Sequence, residues 1–238
     1  MHYLLIHGSW HGAWCWHKIA TRLRAEGHRV TVPDLPGRGE DRTRPIFIGM
    51  KTMLKRLMTL APKEEKTVVV VHSRYGVLAS ELAEAAPERI ARTIYLASFM
   101  LPPGGMVARY AAQDRASQIP AHLEVNRLAG WDWFRQEAHR EVLYHDCHED
   151  DATLATGLLR REPSRPAITR LGLTDGRYGS VPRAYIRLTQ DRAVSPALQD
   201  RLIEETGADR VESLAAGHSA YFSQPDALAS TIGKLAAN

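Results

Sequence analysis

Four consecutive valines, Val68 to Val71, constrain the fold of this chain more than any other stretch. The run has no polar residue at alternate positions, which is typical of a strand in a parallel sheet covered by helices on both faces. The sequence His-Ser-Arg-Tyr-Gly follows directly, and then an alanine-rich helical pattern that ends at Pro87. Ser73 is therefore predicted to lie at a turn between a buried strand and a helix.

Similar apolar runs recur along the chain and alternate with helical patterns. The predicted strands are residues 3–6, 29–32, 67–71, 93–97, 184–189 and 211–215. A helical stripe from Trp16 to Leu23 fills the first gap, and two later helices begin at Pro196 and Pro225, because proline is favoured in a first helical turn. This alternation predicts right-handed βαβ units, and hence an α/β fold with a doubly wound, mostly parallel sheet.

Residues 100–182 interrupt this alternation. They contain no clear strand pattern, but amphipathic segments at 131–144 and 150–161 predict helices. Because the segment begins where a core strand ends, we expect it to cover the carboxyl edge of the sheet, where open α/β sheets bind ligands. We expect one domain, with a core of residues 1–99 and 183–238 and a helical lid of residues 100–182 inserted in it.

The composition argues against several other classes of protein. The formal net charge of the 238 residues is +4, but the basic side chains are scattered among acids, so no nucleic-acid partner is predicted. No apolar stretch reaches the length of a membrane span, and the first apolar run is too short for a signal peptide. Cys15 and Cys147 form neither a disulfide framework nor a C-x-x-C motif, which favours reduced thiols and a cytoplasmic location.

Three polar residues each come directly after a predicted strand. Ser73 follows the strand 67–71, Asp191 follows 184–189, and His218 follows 211–215. This is the chain order of nucleophile, acid and base in α/β-hydrolases. A serine hydroxyl needs a histidine to take its proton, and a carboxylate orients that histidine and stabilises its charged form. Each residue alone has an ordinary structural explanation, but their joint placement predicts a catalytic triad.

An oxyanion hole requires two backbone N–H groups near the nucleophile. One would come from Arg74, the residue after Ser73. The other would come from the glycine-rich loop after the first strand, where Ser9 or Trp10 is placed to donate.

Seven segments of the chain carry a wider resemblance. They are HGSWHGAWCWHKIATRL, VPDLPGRGEDRT, VVVVHSRYGVLASELAEAAPERI, YLASFMLPPGG, YIRLTQDRAVSPALQ, GHSAYFSQPDAL and, in the lid, LYHDCHEDDATLATGLLRREPSRP. Together they resemble the α/β-hydrolases grouped with plant methyl esterases and hydroxynitrile lyases, as a bacterial-type esterase member. The resemblance implies Ser73 as nucleophile, His218 as base, Asp191 as acid, and oxyanion donors at the Ser9 and Arg74 amides. It also implies a homodimer.

Two positions separate the activities of that group. Its hydroxynitrile lyases have a threonine after the first loop histidine and a lysine after the catalytic histidine, whereas this chain has Gly8 and Ser219. Without the lysine charge to hold a leaving cyanide, cyanohydrin cleavage is not expected. A serine nucleophile likewise argues against an epoxide hydrolase or a dehalogenase, which use an aspartate.

The predicted elbow departs from the usual G-x-S-x-G pattern, because Val71 and Tyr75 replace the two glycines. Small residues normally let the strand and helix pass closely, and Gly76 is the small residue that remains on the helix side. The helix could be displaced slightly, or Tyr75 could project into the pocket. Alternatively, hydrolysis could be lost, which would leave a catalytically weak ligand-binding protein.

The remaining candidates concern the pocket and its surroundings. The candidate rings for the wall of the substrate pocket are Trp10, Tyr75, Trp131 and Trp133, although the segment 131–134 is expected to contribute mainly to the core of the lid. The Arg74 side chain could meet a substrate carboxylate or contact the lid. Neighbouring residues of the cluster YHDCHEDD, at 144–151, point in different directions on a helix, so no metal site is predicted. The imidazoles of the first loop, His7, His11 and His17, are expected to organise loop hydrogen bonds rather than to act as bases.

The sequence thus predicts a carboxylic ester hydrolase that acts without a cofactor on a small, fairly apolar ester through an acyl-enzyme. Alternatives on the same triad are a C–C bond hydrolase, a lactonase or a lyase. No nucleic acid or membrane partner is expected, and the homodimer is an expectation from the family.

Overall fold

A central parallel sheet organises the computed structural model, which describes residues 1–62 and 64–237. The strands in these ranges are β1 (His2–Ile6), β2 (Arg29–Thr31), β3 (Thr67–His72), β4 (Ile90–Leu96), β5 (Leu123–Asn126), β6 (Trp131–Phe134), β7 (Glu162–Pro163), β8 (Arg183–Leu188) and β9 (Arg210–Leu214). Six of them pair in the order β2-β1-β3-β4-β8-β9, and every pairing is parallel. Each of these six matches a predicted strand to within a few residues.

Helices cover both faces of this sheet. The α-helices in the same ranges are α1 (His17–Ala25), α2 (Met50–Met58), α3 (Gly76–Ala85), α4 (Val107–Ala111), α5 (Glu149–Leu158), α6 (Pro196–Thr206), α7 (Ala220–Ser223) and α8 (Pro225–Ala236). Apolar residues of α1 and α8 belong to one hydrophobic cluster, and those of α2, α3 and α6 belong to another.

The valine run joins the two clusters. Val68 and Val70 pack in the cluster of α1 and α8, while Val69 and Val71 pack in the cluster of α2 and α3. Alternate side chains of a strand point to opposite faces, so an unbroken apolar run is stable only where both faces are covered. The predicted α/β class with a doubly wound parallel sheet is therefore confirmed.

The segment between β4 and β8 contains strands as well as helices. β5, β6 and β7 form a three-stranded antiparallel sheet. The helix predicted at 131–144 is therefore wrong: its first four residues are β6, and helical turns of Gln136–Ala138 and His139–Leu143 follow. Burial alternates along β6, with Asp132 and Phe134 inside, which is the two-residue period of a strand. The helix predicted at 150–161 is present as α5.

Across residues 1–62 and 64–237, no helix combines the length and the apolar character needed to cross a membrane.

Candidate active site

Ser73 lies at the end of β3, where the chain turns through Ser73–Tyr75 into α3. Its φ angle is 56°, in the left-handed region that residues other than glycine seldom adopt. The end of β4 holds this conformation, because the Ser98 hydroxyl donates to the Ser73 carbonyl at 2.6 Å and the Phe99 amide donates to it at 3.0 Å. Strained conformations of this kind persist only where the surroundings impose them, and they cluster at functional sites.

The structure brings Ser73, His218 and Asp191 into one hydrogen-bonded chain. His218 Nε2 is 3.1 Å from the Ser73 hydroxyl oxygen, and His218 Nδ1 is 2.7 Å from Asp191 Oδ2. The other Asp191 oxygen accepts the amides of Ala193 at 2.7 Å and Val194 at 3.0 Å, so the carboxylate has a fixed orientation. Ser73, His218 and Asp191 are all buried.

This arrangement determines which nitrogen of His218 carries the proton. A carboxylate without a proton can only accept, so Nδ1 must be the donor to Asp191. Nε2 then presents its lone pair to the Ser73 hydroxyl, which is the geometry of a general base.

A lid carboxylate supports the loop that carries His218. Asp146 Oδ2 accepts the Gly217 amide at 2.7 Å, and the His72 ring donates to the His218 carbonyl at 2.9 Å. A Cβ atom on Gly217 would lie 2.6 Å from an Asp146 oxygen and from a His145 nitrogen, so a larger residue would require these two side chains to move. Part of the YHDCHEDD cluster therefore positions the histidine loop. In the portion of the chain described, no three His, Cys, Asp or Glu side chains are arranged to hold a metal.

The loop after β1 offers the Ser9 amide rather than the Trp10 amide as a free donor. The Trp10 amide donates to the Glu162 carboxylate, whereas no acceptor within residues 1–62 and 64–237 takes the Ser9 amide. Ser9 and Arg74 both line the cavity that contains Ser73 and His218. Of the two alternatives for the first oxyanion donor, the geometry favours Ser9.

Two neutral histidines fix the shape of this loop. His7 Nδ1 donates to the Gly8 carbonyl at 2.9 Å while its Nε2 accepts the Leu35 amide. His11 Nδ1 is 2.7 Å from the Ser9 carbonyl, and its Nε2 is 2.8 Å from the Tyr144 hydroxyl. Burial lowers the pKa of His7 to about 4 and that of His11 to about 3, so both rings are uncharged near neutral pH. They organise loop hydrogen bonds, as the sequence predicts.

Gly76 and Gly8 supply the close contacts around the elbow. A Cβ on Gly76 would lie 2.6 Å from the Phe99 carbonyl oxygen, so this glycine lets α3 pass the end of β4. A Cβ on Gly8 would lie 2.9 Å from the Cβ of Ser73. A threonine there, as in the hydroxynitrile lyases, would require this arrangement to shift.

Tyr75 does not project into the pocket, which corrects one of the expectations above. Its side chain is completely buried, and its hydroxyl donates to Glu162, a lid residue on β7. Val71 packs in the core beneath α3. The bulky elbow residues are therefore accommodated by a partner in the lid and by the core.

A cavity of about 770 Å³ opens over Ser73 and His218. Most of its lining is apolar and includes Ile46, Phe99, Val107, Ile119, Leu123 and Val194. Trp10 lines it as predicted, but Trp131 and Trp133 do not, because their rings are engaged within the lid. Trp131 packs against the Arg161 guanidinium, and Trp133 meets the edge of His139. The size and lining suit a mostly apolar small molecule.

Arg74 contacts the lid instead of presenting a free charge to the cavity. Its two terminal nitrogens donate to the Asp132 carboxylate at 2.7 and 3.0 Å, and Trp10 donates its indole N–H to the same carboxylate at 3.0 Å. Burial opposes the charge on Arg74, but Asp132 raises the pKa of the guanidinium above its ordinary value. No local pattern in the sequence points to Asp132 or Glu162, since each is an isolated acid far along the chain from its partners.

Comparisons with known proteins agree with this geometry. Residues 3–231 match the model of the alpha/beta hydrolase family. The chain is 32% identical to Methylesterase 1 of Arabidopsis thaliana over 254 residues, which cover 99% of this chain and 95% of that protein. Another relative, a chloroplastic protein of the same plant, is longer, and the chain spans 64% of it.

Solved structures give the same result. A methylesterase from Arabidopsis is 27% identical with a TM-score of 0.87, covering 99% of this chain and 98% of that chain. A pyrethroid hydrolase from Sphingobium faniae is 25% identical with a TM-score of 0.89, covering 99% and 97%. The resemblance drawn from the sequence segments is thereby confirmed. The chain belongs to the alpha/beta hydrolase family, in the group that contains the plant methylesterases.

Proposed function

We propose that this protein hydrolyses a carboxylic ester with Ser73 as nucleophile, His218 as general base and Asp191 as the acid that orients His218. The observation that carries the proposal is the hydrogen-bonded chain from Asp191 through His218 to a serine held at a φ of 56° beside an apolar cavity. Fold similarity alone would support only the family, because one fold hosts many reactions.

The first half-reaction forms an acyl-enzyme. The Ser73 oxygen bonds to the ester carbonyl carbon while its proton passes to His218 Nε2. The Ser9 and Arg74 amides hold the negative oxygen that develops on the carbonyl. The C–O bond then breaks, and His218 returns the proton to the departing alcohol. In the second half-reaction His218 activates a water molecule, which attacks the acyl carbon and releases the acid and a free Ser73.

The substrate class follows from the lining of the cavity. Its walls are mostly apolar. Arg74, the cation beside the nucleophile, is paired with Asp132, and the other two arginines of the lining, Arg127 and Arg165, are exposed to solvent. An uncharged, largely apolar ester therefore fits better than a carboxylate-bearing one. At about 770 Å³ the cavity has room for an ester of drug-like size. The chain is a carboxylic ester hydrolase, like the relatives named as methylesterases.

The first test labels the nucleophile without requiring the natural substrate. A small fluorophosphonate should add one group to the wild type and none to Ser73→Ala, as read from intact mass. Ser80→Ala is the matched control, because Ser80 is a buried serine on α3 that bonds Tyr95 rather than the triad. This control should label like the wild type.

An ester panel completes the test. On a neutral aryl ester, Ser73→Ala should lower kcat by roughly 10⁴–10⁶, as in other triad enzymes. A folded wild type that neither takes up the probe nor hydrolyses any ester would sink the proposal.

We also propose a cytoplasmic location and a homodimer. Cys15 and Cys147 are buried and unpaired, and burial raises the pKa of both thiols, which keeps them unreactive. Reduced thiols suit the cytoplasm.

Light scattering would decide the oligomeric state, and a monomer at micromolar concentration would refute the dimer.

A further inference from the structure

We propose that two lid carboxylates, Glu162 and Asp132, are positioning residues that set the geometry of the oxyanion hole. The inference rests on the proposed function, since it assigns the groups that hold the Ser9 and Arg74 amides in place. Neither carboxylate is a catalytic residue, because each acts through the loop or the side chain that it binds.

Glu162 is completely buried and fixes the loop after β1. Its Oε2 accepts the Trp10 amide and an Arg38 nitrogen at 2.5 Å, and its Oε1 accepts the Tyr75 hydroxyl. The neighbouring Arg160 amide donates to the Trp10 carbonyl at 2.9 Å, so the lid holds Trp10 on both sides.

The peptide between Ser9 and Trp10 is thereby immobilised at both of its polar atoms. Glu162 accepts its N–H, and the His11 ring donates to its carbonyl oxygen at 2.7 Å. A peptide unit is planar, so fixing its two polar atoms fixes the whole unit. Trp10 also has a φ of 62°, an unfavourable conformation that these contacts must maintain. The direction of the Ser9 amide, one residue earlier, depends on this fixed plane.

Asp132 holds the second donor in the same way. It is buried on β6 and binds two Arg74 nitrogens and the Trp10 indole N–H. The Arg74 guanidinium also lies 5.5 Å from the centre of the Trp10 ring. One carboxylate thus ties together the two segments that supply oxyanion donors.

Stability alone does not explain why these charged side chains are buried. Burying two arginines and two carboxylates carries a large desolvation cost, and apolar residues of similar volume are often as stable or more stable. A buried charged pair instead fixes the orientation of the groups that it binds. Orientation matters here because oxyanion donors act only when they point accurately at the developing charge. Tyr75 fits this explanation, because its hydroxyl binds the carboxylate that holds Trp10. It follows that the oxyanion hole has its working geometry only while β6 and β7 are in place.

The test uses three conservative variants of the full chain: Glu162→Gln, Asp132→Asn and Tyr75→Phe. We expect Glu162→Gln and Asp132→Asn to lower kcat roughly 10–100-fold, since displacing an oxyanion donor should lose less than removing it. Tyr75→Phe should lower kcat about 3–10-fold, because Glu162 keeps its other bonds. KM for a neutral aryl ester should change less than about threefold, as expected for an interaction made in the transition state.

Two control variants remove similar groups away from the cavity. Glu84→Gln weakens another contact between the core and the segment 100–182, where Glu84 accepts the amides of Thr174 and Tyr178. Tyr95→Phe removes a buried hydroxyl that bonds Ser80. Both should keep the wild-type kcat, and thermal unfolding should establish that every variant is folded.

The outcomes separate the two proposals. A wild type without esterase activity or probe labelling refutes the proposed function, and this inference with it, before any variant is made. An active wild type whose Tyr75→Phe and Glu162→Gln variants keep kcat overturns this inference alone. A rise in KM with unchanged kcat does so too, since it would assign these groups to substrate binding. If Glu162→Gln does not fold, the milder Tyr75→Phe decides.

Discussion

Ser73 shows how much of the site is determined by individual contacts. The residue keeps a left-handed conformation although it has a side chain, because Ser98 and Phe99 hold its carbonyl from the end of β4. The Ser98 hydroxyl and the Phe99 carbonyl also lie beside Gly76 and leave no space for a side chain there. Ser73 and Gly76, the first residue of α3, therefore depend on one close crossing.

Gly76→Ala should disturb that crossing. Its new methyl would meet the Phe99 carbonyl and the Ser98 hydroxyl at 2.6 Å, so we expect a loss of about 1–3 kcal/mol of unfolding free energy, together with reduced kcat. Gly233→Ala on α8 is the control, because nothing lies within 4 Å of the added methyl. It should stabilise the protein by about 0.5–1 kcal/mol. Urea unfolding measures both, and equal effects would contradict the explanation.

Asp191→Asn should remove catalysis with little change in fold. An asparagine oxygen that keeps the Ala193 and Val194 amides turns its NH₂ toward His218 Nδ1, which places the imidazole proton on Nε2. That tautomer cannot accept the Ser73 proton, so kcat should fall about 10⁴-fold. Asp200→Asn, at an exposed ion pair with Arg187, should keep activity. A less than tenfold loss for Asp191→Asn would contradict the assigned role.

The strands and helices predicted correctly are those that local sequence patterns encode. The core strands are apolar runs, and Ser73, Asp191 and His218 each follow one, so fold and triad candidates could be located from the sequence. β6 was missed because a four-residue strand lies inside a segment that also fits a helical period. Asp132 and Glu162 were missed for another reason: their partners Arg74 and Trp10 lie 58 and 152 residues away in the chain. No local pattern reports such contacts.

The short helix α4 gives a prediction on substrate size. Val107, Ala108 and Ala111 line the cavity, as does Ala112 directly after the helix, so α4 forms one wall with small side chains. Ala111→Phe should lower kcat/KM for long-chain acyl esters by about tenfold or more, because each excluded methylene is worth roughly 1–3 kcal/mol, while acetate esters change little. Ala227→Phe, at an exposed position on α8, should leave the chain-length profile unchanged. Equal losses on short and long esters would place the α4 wall away from the acyl chain.

The whole molecule should lose stability in mild acid, because it buries His7 and His11 as neutral rings. Their pKa values are about 4 and about 3 when folded, against about 6.5 in an unfolded chain. Above a pH of about 6.5 these two rings carry no extra proton in either state, so they add no pH dependence to the stability. As the pH falls toward 4, both rings bind a proton in the unfolded state but not in the folded state. Each ring therefore lowers the free energy of unfolding by about 1.4 kcal/mol per pH unit.

Urea unfolding across this range tests the prediction, and His11→Gln isolates one ring. A glutamine can donate to the Ser9 carbonyl and accept from Tyr144 without titrating, so it preserves the loop contacts. The variant should show a pH dependence between about pH 6.5 and 4 that is shallower by one proton than that of the wild type. If the free energy of unfolding fell equally with pH in the variant and the wild type, His11 would take up a proton in the folded protein. The loop that carries Ser9 would then be bound by a charged imidazole rather than a neutral one.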